Sequence, residues 1–243
     1  MQGSPEHTNC NLCNFSKSYS CNFTESSYPV AMNIAVDQRA LARLPQQQRA
    51  IDRFELVLQE AQALLAEEGL GGFSIPAVAA RLGYTRASIY KFFPTPYAVL
   101  NELVRRHFAG LEQKLVADAV RLVQLPWREV VRTIVQQAAS YHNEHPGGMM
   151  LALGGAVTDE SYRSYELTVR HLGSLARQLL QVRGMTVPTE PVDAATLAVD
   201  VATTCFRQSY LAHGHITPAY EEAAAEVMVD FLQRRIVAPG EKA

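Results

Sequence analysis

The sequence predicts an all-α protein of about nine helices, and two observations carry that prediction. Alanine, leucine and valine dominate, while glycine and proline sit mainly between the periodic stretches, as suits helices rather than strands. Apolar residues recur at steps of three and four, first at Ile51, Phe54, Val57, Leu58, Ala61, Leu64 and Leu65, which puts them on one face of a helix. A chain of 243 residues can bury one good core, and more naturally forms a small domain beside a larger one. No apolar run approaches the roughly 20 residues of a membrane span, and the first thirty residues lack the apolar core of a secretory signal. A cytoplasmic, membrane-free protein is expected. Three of the four cysteines precede residue 22, so no disulfide framework can staple the body.

Residues 1–44 are rich in Ser, Asn and Tyr without helical period and read as a disordered or loosely ordered extension. Within it His7, Cys10, Cys13 and Cys21 have the ligand types of a tetrahedral zinc site. Little apolar sequence surrounds them to fold about a metal, so no metal and no cofactor are expected; Met32 offers an alternative start just before the ordered region.

The first amphipathic helix ends at Gly69, Gly71 and Gly72. Ser74 can cap a short second helix with Pro76 in its first turn, where the missing N–H costs little, and Gly83 ends it. Thr85 caps a third, in which Ile89 and Phe93 lie four apart on a face that packs against the first two. Arg86, Ser88, Tyr90 and Lys91 fall largely outside that stripe. Long helix, short helix, tight turn and short capped helix together describe a helix-turn-helix unit. Charge follows it: from 74 to 108 Arg81, Arg86, Lys91, Arg105 and Arg106 oppose only Glu102, a balance of +4, whereas 111 to the end carries −3 and the whole chain −2.

Pro96 starts a fourth helix running to Gly110 and onward. Pro126 and Trp127 open another that ends near Glu144, where His145-Pro-Gly-Gly should break the chain. A short helix about Met149–Leu153 follows, then a long one from Asp159 to Arg183, with an acid near its N-terminus and a base at its C-terminus. Two final helices, about 191–212 and 218–237, place Leu197, Val201, Cys205, Ala224, Val227, Met228 and Phe231 where close antiparallel packing suits them.

With these residues in view, the stretch "FSIPAVAARLGYTRASIYKFFPTPYAVL", 73–100, resembles the tetracycline-repressor (TetR) family of transcriptional regulators. The family's cap, alanine pair, glycine, second cap, small pair, aliphatic-Tyr step and aromatic-Phe-Pro match Ser74, Ala79 and Ala80, Gly83, Thr85, Ala87 and Ser88, Ile89 and Tyr90, and Phe92 to Pro94. Many relatives carry a Lys shortly after the Phe-Pro; here Pro96 and Tyr97 stand there, so that phosphate contact is lost or passes to a backbone N–H or the Tyr97 hydroxyl.

The resemblance implies a helix-turn-helix DNA-binding domain at 45–110 and a helical effector-binding and dimerisation domain at 111–243. It implies a homodimeric regulator, most simply a repressor, on a palindromic double-stranded operator. Arg86, Ala87 and Ser88 would approach base edges, while Thr85, Tyr90 and Lys91 would mainly grip phosphates, with Ser74 a further DNA-binding residue. The effector would be small and mostly apolar, with Trp127, Tyr141, Met149, Met150, Tyr162, Tyr165, His171, Phe206 and Tyr210 as candidate pocket residues. The dimer would be made by Leu197, Val201, Cys205, Ala224, Val227, Met228 and Phe231. No phosphate loop, nucleophile elbow or paired-acid motif argues for an enzyme. The other reading is an interaction module of the same fold that has abandoned DNA.

Overall fold

A computed structural model of the chain describes residues 37–155 and 158–237. Its helices run in the order α1 (Gln48–Gly72), α2 (Ile75–Leu82), α3 (Arg86–Tyr90), α4 (Pro96–Ala117), α5 (Ala119–Leu122), α6 (Trp127–Glu144), α7 (Pro146–Leu153), α8 (Asp159–Gln181), α9 (Ala194–His213) and α10 (Pro218–Gln233). Ten α-helices among the described residues, after a short 3-10 turn at Gln38–Ala40, are one more than the periodicity suggests. The extra one, α5, is a single turn, too short to show a period, held by the buried Leu122.

The two expected caps form, and Thr95 adds a third. Ser74 Oγ accepts from Ala77 N at 3.3 Å, Thr85 Oγ1 from Ser88 N at 3.3 Å and Thr95 Oγ1 from Ala98 N at 3.3 Å, each satisfying a backbone donor that the first turn leaves free. Gly83 closes α2 with φ 65°, a left-handed conformation that a side chain would strain. Phe54 of α1 stacks on Phe93 at 4.6 Å and meets Phe92 edge-on at 5.9 Å. Ile89 and Phe93 are fully buried, and each such side chain contributes about 1.5–3 kcal/mol of transfer free energy. This apolar clamp holds α3 against α1 and α2.

α4 is shared between the N-terminal helices and the rest: it packs on α1 and also on α6, α7 and α8, while α8, α9 and α10 pack in series and α10 returns to α6. The sequence-based boundary after Gly110 therefore falls inside a continuous helix. A Cβ on Gly110 would run into Tyr141 of α6, so the glycine marks a close crossing rather than a helix end.

Two further expectations change. Residues 37–43, read as part of a loose extension, are pinned: Thr95 Oγ1 donates to Arg39 O and Asn101 Nδ2 to Ala40 O, both at 2.9 Å, and Arg43 N donates to Phe92 O at 2.7 Å. The partners sit on distant segments, which local composition does not reveal. The break expected at His145-Pro-Gly-Gly is there but is confined to His145, with φ −128° and ψ 65°; Pro146 already sits in the first turn of α7. Gly148 lies inside that helix because a Cβ there would come within 2.7 Å of His107 Cγ. His7, Cys10, Cys13 and Cys21 lie outside the described residues. Among those described, no group of three or more His, Cys, Asp or Glu is placed to hold a metal, and no helix is long and apolar enough to cross a membrane.

Candidate nucleic-acid interface and ligand cavity

α3 presents two faces because only Ile89 among its five residues is buried. Thr85, Arg86, Ala87, Tyr90 and Lys91 are exposed; Ser88 and Ser74 are half-buried. All seven candidate DNA-contact residues thus belong to the α2–turn–α3 surface, but not in equal roles. Ser74 and Thr85 each spend a hydroxyl lone pair on a cap, and the Ser88 hydroxyl donates to Thr85 O at 2.7 Å. Arg86 and Lys91 have no ion-pair partner among the described residues.

The +4 stretch is less basic in space than in sequence. Arg81 pairs with Glu60 at 3.3 Å and also with Glu67. Arg105 and Arg106 reach Glu102 at 2.7 and 2.8 Å, and Arg106 also forks onto Glu55. Burial alone would push the Glu102 carboxyl upward, but hydrogen bonds from Arg105 and Arg106 outweigh it and its pKa is lowered. The free positive charge of α3 is therefore Arg86 in front and Lys91 behind.

A cavity of about 300 Å³ opens where α4, α7, α8 and α9 meet. Val104, Phe108, Leu151 and Ala152 make its apolar side; Ser161, Tyr162, Tyr165 and Glu166 from α8 and Asp200, Thr204 and Arg207 from α9 make the other. Tyr165 is its pivot, donating to Asp200 Oδ1 at 2.5 Å with the Arg207 guanidinium 5.4 Å from its ring centre. Burial and the Asp200 carboxylate both raise the phenol pKa, so Tyr165 stays a neutral donor. Arg207 Nε is buried with no hydrogen-bond partner among the described residues.

Of the nine candidate pocket residues, Tyr162 and Tyr165 line this cavity. Met149 and Phe206 are buried in the core, and Met150 and Tyr210 pack against it. Tyr141 stacks on His145 at 4.3 Å, Trp127 lies under the Arg128 guanidinium at 4.7 Å, and His171 bonds Glu112 at 3.1 Å, which raises its pKa. Outside the expected pocket residues, the polar stripe Asp200, Thr204, Arg207, spaced i, i+4, i+7 on α9, faces the cavity. That spacing was available but hidden beneath α9's small and apolar positions. α4's contribution, Val104 and Phe108, had no distinguishing signal.

A hydrogen-bond chain joins cavity and helix-turn-helix. Ser161 Oγ, in the cavity wall, donates to Asn101 Oδ1 at 2.5 Å, and Asn101 Nδ2 donates to Ala40 O at 2.9 Å. Three residues later Arg43 N bonds Phe92, just past α3. Of the expected dimer residues, Ala224 and Met228 turn into the chain's own core. Leu197 and Val227 are 37% and 40% exposed, while Val201, Cys205 and Phe231 are half-buried. Leu211, 62% exposed, extends the apolar surface of α9.

Comparison with known proteins agrees with this geometry. Residues 57–103 match the family model of bacterial regulatory proteins, tetR family. Among solved structures, a TetR-family transcriptional regulator from Streptomyces coelicolor superposes with TM-score 0.59 at 20% identity, over 76% of this chain and 98% of that one. The multidrug binding protein EbrR, solved with imidazole, gives TM-score 0.57 at 19% identity over 77% and 96%. A TetR-like transcriptional regulator from Rhodococcus sp. RHA1 gives 0.51 at 17% identity over 79% and 97%. No curated protein matches. At these identities the superpositions speak for the fold.

Proposed function

Since the chain belongs to the tetR family of bacterial regulatory proteins and is a DNA-binding transcriptional regulator, we propose that it is a homodimeric repressor that leaves a palindromic operator when a small molecule fills the α4–α7–α8–α9 cavity. The observation that carries this reading is the solvent face of α3, where Arg86, Ala87, Tyr90 and Lys91 stand exposed on a helix clamped from behind by Ile89 and Phe93. Arg86 can bond guanine O6 and N7 together, Ala87 can meet a thymine methyl, and Ser88, half-buried, can approach a base edge. Lys91, Tyr90, Thr85 and Ser74 suit phosphates, which position the protein without reading sequence. Two such heads would enter successive major grooves, with half-site centres about 34–36 Å apart in the simplest geometry.

The dimer would form on α9 and α10 through Leu197, Val201, Cys205, Val227 and Phe231. An effector with an apolar body against Phe108, Val104 and Leu151 and a polar group toward Asp200, Glu166 and Arg207 fits the cavity wall. EbrR's description as a multidrug binding protein agrees with a pocket of that mixed kind. α4 both lines the cavity and starts six residues after α3 ends, so a ligand preferring one position of α4 would bias the spacing of the reading heads. That bias exists only if the ligand binds the two states unequally. Selection from a random duplex pool tests the DNA half of the proposal. A ligand panel read by release of the selected duplex tests the other half. Release by molecules pairing an apolar body with a charged group supports it, and release only by sugars or phosphates contradicts it.

A further inference from the structure

With Arg81, Arg105 and Arg106 committed to carboxylates, Arg86 of α3 and Lys91 at its end are, among the described residues, the two unpaired cations that this helix offers a polyanion. The segment before α1 supplies more. Residues 39–43 are fixed to the end of the reading unit by three hydrogen bonds that use the segment's own main chain: Arg39 O from Thr95, Ala40 O from Asn101 and Arg43 N to Phe92 O. Ala40 is buried, and the main chain of Arg43 is held to Phe92, two residues past the C-terminal end of α3. Arg53, on the first half of α1, lies with its guanidinium 5.1 Å from the ring centre of Tyr84, the residue before the α3 cap. Arg49 sits one turn earlier on the same side. All three arginines are exposed, and none has an ion-pair partner among the described residues.

We propose that Arg43 and Arg53, with Arg49 behind them, form a second line of DNA-backbone contacts that brackets α3 at its two ends. This rests on the DNA-binding reading of α3. Exposed guanidiniums fixed to a rigid unit suit phosphates, because they add charge at a defined place without reading a base. Within the same segment Arg39 forks onto Asp37 at 3.1 and 3.2 Å, which leaves the free charge to Arg43.

The test is the salt dependence of binding by the full chain to its pool-selected duplex and to a random duplex, for the parent, Arg43→Gln, Arg53→Gln and, as a charge-matched control after α10, Arg234→Gln. Each lost contact should flatten the slope of log K against log salt by about 0.9, hence about 1.8 for the two heads of a dimer. Both duplexes should weaken by the same factor, and Arg234→Gln should match the parent. Arg43→Gln should keep the parent's unfolding temperature, since its bond to Phe92 is main-chain. If the parent binds with a steep slope and both variants keep it, the second contact line is wrong and the reading of α3 stands. If the parent binds neither duplex at any salt, the DNA-binding reading itself fails.

Discussion

The buried histidine pair between α4 and α6 makes stability fall as the medium turns mildly acidic. His107 and His142 are 6% and 3% exposed, and His107 Nε2 lies 2.9 Å from His142 Nδ1, so one ring donates while the other must offer a lone pair. Protonating both rings would set two N–H groups against each other. Burial first, then the neighbouring rings of His142 and His145, pushes His107 down to about 3; burial, then His145, pushes His142 down to about 4. Both folded values lie below the ordinary 6.5, so the unfolded chain binds more protons between them and stability rises with pH there. At pH 5.0 an unfolded histidine gains about 2 kcal/mol by protonation, which a folded group titrating near 4 or below scarcely recovers. The pair therefore removes roughly 4 kcal/mol between pH 7 and 5. The His171–Glu112 pair has the opposite sign and offsets part of this, since its raised pKa stabilises at low pH and is lost as pH rises. Urea unfolding at pH 7.0 and 5.0 measures the difference, and a His107→Gln, His142→Gln variant should lose most of it. Equal parent stability at the two pH values, or an unchanged difference in the double variant, would refute the assignment of a neutral buried pair.

Three other perturbations follow from the geometry. Arg86→Ala should weaken operator binding by about 1–3 kcal/mol and relax selection at one base position; unchanged affinity and selectivity in competition binding would remove Arg86 from the readout. Gly148→Ala places a Cβ against the His107 ring, an overpacking that costs about 1–3 kcal/mol in a tight core, while Gly71→Ala, with open space around it, should cost little; equal denaturation midpoints for the two would contradict the close approach. Asn101→Ala leaves Ala40 O without its buried donor and Ser161 Oγ with Thr158 Oγ1 alone, and should cost about 1–3 kcal/mol, read by urea unfolding; a neutral result would mean Asn101 does not bridge cavity and reading head.

Much of the helix-turn-helix was legible because its determinants are local. The cap hydroxyls of Ser74 and Thr85 act three residues away, and the Ile89–Phe93 pair acts over one helical turn. What was not legible depends on pairs distant in sequence. Arg106 meets Glu55 across 51 residues and Arg81 meets Glu67 across 14, so a charge count along the chain overstated the free positive charge at the motif. Residues 37–43 lack a helical period yet are ordered by Thr95 and Asn101. The cavity combines α4, α7, α8 and α9, and residue type alone does not separate its Tyr162 and Tyr165 from Met149 and Phe206, which fill the core. Asp200, Thr204 and Arg207, the polar residues that give the cavity its character, become a set only once α9's register against α8 is known.

The central claim is that the exposed face of α3 reads DNA in a paired, symmetric arrangement. Selection of bound sequences from a random duplex pool by the full chain tests it most directly. The account predicts an inverted repeat with half-site centres about one helical turn apart, bound by two chains per duplex and lost steeply as salt rises. No enrichment, or enrichment of an asymmetric site bound by one chain, would contradict it.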